Sequence, residues 1–482
     1  MGIRLAAARG VSALSTWGLK HVFRRPAANF PGKIALYVDP HLIGDLAGNL
    51  ARGSVVVCGT NGKTTVTNLL ADALEAAGMK VVCNRTGANL DSGVATALLH
   101  GGRADWGVFE SDELWLARIL PELKADYVVL LNLFRDQLDR VGEIDRTQES
   151  IAGALASSPE TVLVYNADDP LCEAIARRCP NRTIPFGIAE DMGLEQNTVA
   201  DAQMCQVCEG MLVYEYRQYG QLGAYACSAC SFARPKLSYE ARGVHVGAEG
   251  ISFLAGAAGA EPVELRTRDT GAYLVYNLLA AFATATLLGC PTEVLQGAID
   301  AFDPQNGRLE TFEIGGRHAL LNLAKNPTGF NQNLKIVMQD EGPRVVAFFV
   351  NDKEGDGRDV SWLWDVDFEE LAGAGNVVAF AGGIRKNDLQ VRLKYAGVAA
   401  ECAEGAADVF ARTAQLPAGY KYYLIANYTA LPGVRAEMVR LAGEGAGAAS
   451  ACGGEGGADR SEVAASGDAA APEGAEGKED AR

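Results

Sequence analysis

The sequence predicts an α/β protein: a central P-loop nucleotide-binding domain on a parallel sheet with an inserted zinc ribbon, followed by a smaller α/β domain. Three observations predict it. The apolar run Ser54-Val55-Val56-Val57 leads into CGTNGKTT and then into a helical stretch. Further apolar runs alternate with helical stretches and end in polar residues. Four of the 11 cysteines fall in two pairs, Cys205-x2-Cys208 and Cys227-x2-Cys230.

The strand–loop–helix element comes first. Val55, Val56 and Val57 read as a buried parallel strand, and Leu69, Leu70, Ala73, Leu74 and Ala77 repeat on one helical face. Between them lie Gly59, Thr60, Asn61, Gly62, Lys63, Thr64 and Thr65. Glycines let backbone N–H groups approach an anion, and the next helix presents its N-terminus to the same charge. Lys63 would reach the outer phosphates and the Thr64 hydroxyl would ligate Mg2+. Val57 stands where the full motif asks for glycine, so the match is its second half.

Two more strand ends follow. Gly107-Val108-Phe109 runs into Glu110, Asp112 and Glu113, and Tyr127 to Asn132 runs into LFRDQLDRVGE. An acid at such an edge would hold the metal, and Glu110 is the candidate. Taken singly, Glu110 reads equally as a surface acid. Ligands of open parallel sheets gather along the carboxyl edge.

The cysteine spacing is that of a zinc ribbon, with four thiolates placed tetrahedrally by two knuckles. Cys205, Cys208, Cys227 and Cys230 would hold a structural Zn2+, since four protein ligands leave no position for substrate. The intervening MLVYEYRQYGQLGAYAC alternates as strands do, and Arg217 is the one base between the pairs. From about Gly315 the smaller domain begins, with strands at Ala319–Leu323 and Val345–Val350. After the second strand, Asp352, Asp356 and Asp359 cluster beside Trp362 and Trp364. From the residues alone, this cluster is compatible with ordinary loop solvation.

Composition bounds the rest. A net charge of −17 argues against general nucleic-acid binding, which needs clustered Lys and Arg. No run reaches the roughly 18 apolar residues of a membrane span. The first acid is Asp39, after Arg4, Arg9, Lys20, Arg24 and Arg25. That stretch reads either as a helix packed on its own protein or as a basic helix resting on anionic lipid. From Gly443 onward the chain is Gly/Ala/Glu-rich and too poor in large apolar residues to order itself. The expected division is an N-terminal segment 1–50, a central domain 51–314 with the insert at about 203–235, a C-terminal domain 315–441 and an acidic tail 442–482.

A resemblance makes the chemistry specific. GTNGKTT, FESDE, NLFRDQLDRVGE, GAYLVYNLLAA and NGRLETF follow one another in the order seen in Mur ligases, which use ATP to join a carboxylate to an amine. FPGKIALYVDPHLI, the four-cysteine insert, AKNPTGFNQ and DGRDVSWLWDVDFE resemble the MurT branch, the ligase-like subunits of lipid II isoglutaminyl synthases. The likeness covers roughly residues 28–435.

That resemblance implies an acyl phosphate made with ATP and Mg2+, Asn277 and Arg308 near the nucleotide, Arg308 at the hinge, and a last domain that closes over it. It implies amidation of the D-glutamate α-carboxylate of the lipid II stem peptide in the cytoplasm, at the inner face of the membrane. It also implies a GatD-like glutamine amidotransferase subunit that supplies ammonia. Asp356 or Asp359 would complete that partner's catalytic triad. Gln137 stands where amino-acid-adding relatives carry a metal-binding histidine, and no lysine for their carbamylated position occurs between Lys124 and Lys236. Leu274 departs from the branch pattern, which has asparagine there. Two other readings stay open: a Mur or folylpolyglutamate-type ligase adding an amino acid, and a P-loop protein whose ribbon binds nucleic acid or a regulatory partner.

Overall fold

The computed structural model describes residues 3–23, 28–85, 87–135, 144–194, 202–247, 249–302 and 307–451, with side chains through Gly443. Gln137, Arg24, Arg25 and the tail from 452 lie outside the described residues. The chain forms two compact units, the first ending at Phe302.

The first unit opens with three helices, α1 (Ile3–His21), α2 (Phe30–Val38) and α3 (Leu42–Ala47). The P-loop region follows as β1 (Leu50–Cys58), α4 (Lys63–Ala76), β2 (Val81–Cys83), α5 (Asp91–Gly101), β3 (Ala104–Glu110), α6 (Leu116–Leu123) and β4 (Tyr127–Leu130). Next come α7 (Ile144–Ala156), β5 (Val162–Asn166), α8 (Pro170–Arg178), β6 (Thr183–Ile188) and the hairpin β7 (Leu212–Tyr219) and β8 (Leu222–Cys227). The unit closes with β9 (Tyr239–Gly247), β10 (Gly250–Ala257), β11 (Val263–Thr267), α9 (Ala272–Leu287) and α10 (Thr292–Ala301).

Nine strands form one sheet in the order β11-β10-β9-β6-β5-β4-β1-β3-β2. From β2 to β9 every pair is parallel, and β9, β10 and β11 add an antiparallel edge. Val55, Val56 and Val57 are fully buried because helices cover both faces of a parallel sheet. Strand β1 sits between β3 and β4, where the winding direction reverses. The loops leaving β1, β3 and β4 therefore meet at one carboxyl edge, the position favoured for ligands. Leu5, Ala8, Ala35, Leu42, Ile43 and Leu46 join the same core, so the first 50 residues are not a separate body.

The second unit has six strands: β12 (Glu310–Ile314), β13 (Arg317–Leu323), β14 (Arg344–Phe349), β15 (Val377–Gly382), β16 (Ala400–Cys402) and β17 (Lys421–Ala426). Their order is β12-β13-β17-β14-β15-β16, parallel except for the β12–β13 pair. Helices α11 (Pro327–Met338), α12 (Glu369–Ala372), α13 (Lys386–Tyr395), α14 (Ala406–Arg412) and α15 (Leu431–Ala451) belong to this unit. Two apolar layers, one around Phe349 and Tyr422 and one around Phe330 and Phe348, lie on the two sides of the sheet. Strand β12 belongs to this sheet, although the sequence reading placed its residues in the central domain.

Candidate functional site

The phosphate loop is braced from the neighbouring strand. Gly59 and Gly62 take φ of 133° and 90°, which side-chain-bearing residues rarely adopt. The backbone and side chain of Asn132 fasten the loop. Its carbonyl accepts from Thr60 N at 2.9 Å, and its Oδ1 accepts from Asn61 N at 2.9 Å. The Thr60 hydroxyl bonds Phe134 N at 3.0 Å, so the segment after β4 clamps both sides of the turn. Strand β4 ends at Leu130, two residues before the end of the run read from the sequence, and Asn132 is used for this clamp. The amides of the first turn of α4 have no intrahelical acceptors, an arrangement that can receive an anion.

Lys63 is buried, with Nζ donating to Gly59 O, to Thr60 O at 3.4 Å and to Glu113 Oε1 at 3.0 Å. Burial works to lower its pKa, but the carboxylates of Glu113, Glu110 and Asp112 outweigh it and hold the ammonium above the ordinary lysine value. The three acids after β3 therefore have separate tasks. Glu113 pairs with Lys63, Asp112 accepts from Leu114 N at 3.0 Å at the entry to α6, and Glu110 accepts from Thr64 Oγ1 at 2.7 Å. The Glu110 backbone is pinned by Asn84, which accepts from Glu110 N at 2.8 Å and donates to Glu110 O at 2.9 Å. Asn89 donates to Glu110 Oε1 at 3.3 Å. The Thr64 hydroxyl and the Glu110 carboxylate thus offer two hard oxygen donors side by side, a donor set that fits Mg2+. Asn84 and Asn89 were not singled out in the sequence; their only signal was their place after the short strand β2.

Asn277, on α9, is buried and reaches the same turn. A Cβ on Gly62 would come within 2.2 Å of its Oδ1, so this glycine is required by both backbone and neighbour. A buried hub next to Asn277 sets its position. Tyr276 OH donates to Asp168 Oδ2 at 2.8 Å, while Arg234 bonds Asp168 Oδ1 at 2.9 Å. Burial raises the Asp168 pKa, and the Arg234 guanidinium works against that rise. Thr65 completes the loop, half-buried in the first turn of α4.

The four cysteines converge. Every pair of their Sγ atoms lies within 4.8 Å, with Cys205 to Cys230 at 3.6 Å and Cys208 to Cys227 at 3.5 Å. A tetrahedron of thiolates about 2.3 Å from zinc has edges of about 3.8 Å, so the set fits Zn2+ closely. Backbone amides of Val207, Ala229 and Phe232 donate to Cys205, Cys227 and Cys230, as expected where knuckles carry thiolates. The ribbon is docked on its own unit. Cys205, Leu212, Tyr225 and Phe232 pack on Ala174 of α8, and Arg177 lies 4.8 Å from the centre of the Phe232 ring. At the hairpin tip, Gln221 donates to Leu133 O at 2.7 Å and Tyr219 stacks on Phe134. The ribbon tip therefore buttresses the residue that clamps Thr60.

The remaining candidates lie in the second unit. Arg308 is half-buried between Gly307 and Leu309, whose φ values are 72° and 48°. Two residues on, Glu310 accepts from Arg435 Nε and Nη2, each at 2.7 Å. The two aspartates after β14 separate sharply. Asp356 is buried and accepts from the Thr429 amide at 2.9 Å and from its hydroxyl. Burial raises its pKa, against the opposing Thr429 hydrogen bonds. Asp359 is exposed, and hydrogen bonds from the Ser361 amide and hydroxyl at 2.8 and 3.0 Å keep its pKa low. Asp352, half-buried, is engaged by Arg385 at 2.9 Å.

Comparisons with known proteins agree with this fold. The Mur ligase middle domain matches residues 57–225, and the MurT ligase C-terminal family matches residues 323–431. The chain is 33% identical over 408 residues to the lipid II isoglutaminyl synthase (glutamine-hydrolyzing) subunit MurT of Staphylococcus aureus, covering 84% of this chain and 91% of that protein. It is 33% identical over 413 residues to the corresponding subunit of Streptococcus pneumoniae, covering 84% and 90%. Among solved structures, a pseudomurein peptide ligase type C from Methanothermus fervidus superposes with TM-score 0.66 at 19% identity, covering 83% of this chain and 80% of that one. The MurF ligase of Thermotoga maritima in complex with ADP gives 0.62 at 14% identity, covering 88% and 87%. With a phosphate loop, a strand-end carboxylate and a four-cysteine ribbon placed as described, and with full-length relatives at this identity, the chain belongs to the Mur ligase family and, within it, to the MurT branch.

Proposed function

We propose that this chain is the ATP-using subunit of a two-chain amidotransferase acting on lipid II. It converts the α-carboxylate of D-glutamate in the stem peptide to the amide of D-isoglutamine. A carboxylate is a poor electrophile because its oxygen leaves badly. Attack of that oxygen on the γ-phosphorus of ATP breaks the bond to ADP and gives an acyl phosphate. Ammonia then attacks the carbonyl carbon, and inorganic phosphate departs with the former carboxylate oxygen.

The single observation that carries this reading is the convergence of Lys63, Thr64 and Glu110 on the loop between β1 and α4. Phosphoryl transfer is catalysed mainly by positioning and charge stabilisation, and these residues supply both. The loop from Gly59 to Thr65, with Asn277 beside it, would cradle the phosphates. Thr64 and Glu110 would hold a Mg2+ that neutralises phosphate charge. By the resemblance, Arg308 would contribute to nucleotide binding. Zn2+ on the four cysteines would be structural, since all four positions are filled by protein.

Ammonia is mostly protonated at neutral pH, which makes a dedicated supplier sensible. A GatD-type glutaminase would provide it, with an aspartate of this chain orienting the partner's histidine. Of the two candidates, Asp359 fits that role: it is exposed and held in the ionised form, as a triad aspartate must be. Asp356 fits a bracing role, because it is buried with both carboxylate oxygens on Thr429, out of a partner's reach. In the purified two-chain enzyme, Asp359→Asn should lower glutamine-driven amidation by up to about 10⁴-fold while ammonium-driven amidation persists. Equal loss with both nitrogen donors would count against this division of labour. The lipid-linked substrate places the working enzyme at the inner face of the membrane.

A further inference from the structure

The geometry points to the outer face of α1, with the turn that follows it, as a docking surface for an anionic lipid bilayer. This inference stands on the surface itself and not on the reaction proposed above.

Helix α1 has two apolar faces. One is used internally: Leu5, Ala8 and Ser12 are buried, and the helix packs on α2 and α5. The opposite stripe, Ile3, Ala7, Gly10, Leu14 and Trp17, follows helical spacing and lies in solvent. Leu14 is 72% exposed and Trp17 58%, and the turn beyond adds Val22 at 62% and Phe23 at 66%. Leaving side chains of this size in water forgoes about 1.5–3 kcal/mol each, which a packed solvent-facing helix ordinarily avoids by carrying polar residues. Helix α2 repeats the pattern with Phe30, Lys33 and Tyr37 exposed at helical spacing.

Charge decides the occupant. Arg4 and Lys20 are exposed at the two ends of the α1 stripe, and no Asp or Glu occurs before Asp39. In a chain of net charge −17 this segregation is pronounced. A second copy meeting this stripe face to face would set Arg4 and Lys20 against their own counterparts, which repel. An anionic membrane satisfies both features at once: the apolar side chains enter the acyl boundary while Arg and Lys meet headgroup phosphates. Trp17 is of a residue type enriched at that depth. The helix has 19 residues, about 28 Å, and would lie in the plane of the interface. Among the described residues no helix is long and apolar enough to cross a membrane.

The test is flotation of the full chain with vesicles of phosphatidylglycerol and phosphatidylcholine, and with vesicles of phosphatidylcholine alone. Sedimentation of the lipid-free protein is run alongside. Binding is expected to anionic vesicles, weakening with salt. The Leu14→Glu/Trp17→Glu double variant, altered only at exposed positions, should partition at least about tenfold less. Arg4→Glu/Lys20→Glu should abolish the preference for anionic lipid. Equal partitioning of wild type and the Leu14/Trp17 variant, absence of vesicle binding, or a dimer dissolved by that variant in place of vesicle binding would each overturn the assignment. Amidation of detergent-dispersed lipid II is measured in the same preparations, so a failure of docking and a failure of the reaction are read separately.

Discussion

Lys63→Ala is expected to remove amidation, by about 10³-fold or more, in a protein that still unfolds cooperatively. The ammonium is fixed by Gly59 O, Thr60 O and Glu113, and three acids hold it charged at any working pH. A buried ion pair of this kind adds little net stability, so its geometry is better explained by the placement of a charge on phosphate. Removing the lysine alone takes a buried cation away from Glu113 and should cost about 3–5 kcal/mol. Lys63→Ala/Glu113→Gln should regain most of that stability and none of the activity. Thermal unfolding read beside ATP turnover separates the two effects. Full turnover in the single variant would contradict the assignment of the loop.

Cys205→Ala is expected to release the metal and to lower both stability and turnover. Structural zinc in small ribbons contributes about 10 kcal/mol or more to folding of the element it closes. Here Cys205 is also buried in the cluster with Leu212, Tyr225 and Phe232, so the substitution opens that layer as well. The effect should extend to the nucleotide, because Tyr219 and Gln221 at the hairpin tip support Leu133 and Phe134, and Phe134 bonds Thr60. Metal analysis, melting temperature and the KM for ATP should move together. A metal-free variant with unchanged melting temperature would show that the ribbon is held by packing alone.

The parts legible in the sequence were those in which one local pattern carries one meaning. The glycine–lysine–threonine loop, the four-cysteine spacing and the strands around Val56, Phe109 and Val129 all stand where their patterns placed them. Glu110 and Thr64, 46 residues apart, were legible as two donors to one metal, but the direct hydrogen bond between them was not. Asn84, Asn89, Asn132 and Asp168 were missed. Each is an ordinary polar residue whose role arises from what the sheet order brings beside it. The antiparallel edge β9–β11 was also missed, because Gly243, Gly247 and Gly250 interrupt its alternation. In the second unit the acid cluster was visible, but burial distinguishes Asp356 from Asp359, and burial is a property of the folded chain. The N-terminal segment carried two readings, self-packing and lipid contact. The structure shows α1 packed by one face with the other left in solvent, so the alternatives are compatible.

The central claim is that the peptide carboxylate is phosphorylated before nitrogen arrives. The most direct measurement uses lipid II whose D-glutamate α-carboxylate carries heavy oxygen, incubated with the enzyme, ATP, Mg2+ and an ammonia source. One labelled oxygen is expected in the inorganic phosphate for each amide formed. Amide formation with unlabelled phosphate, or phosphate release with the carboxylate intact, would contradict the account.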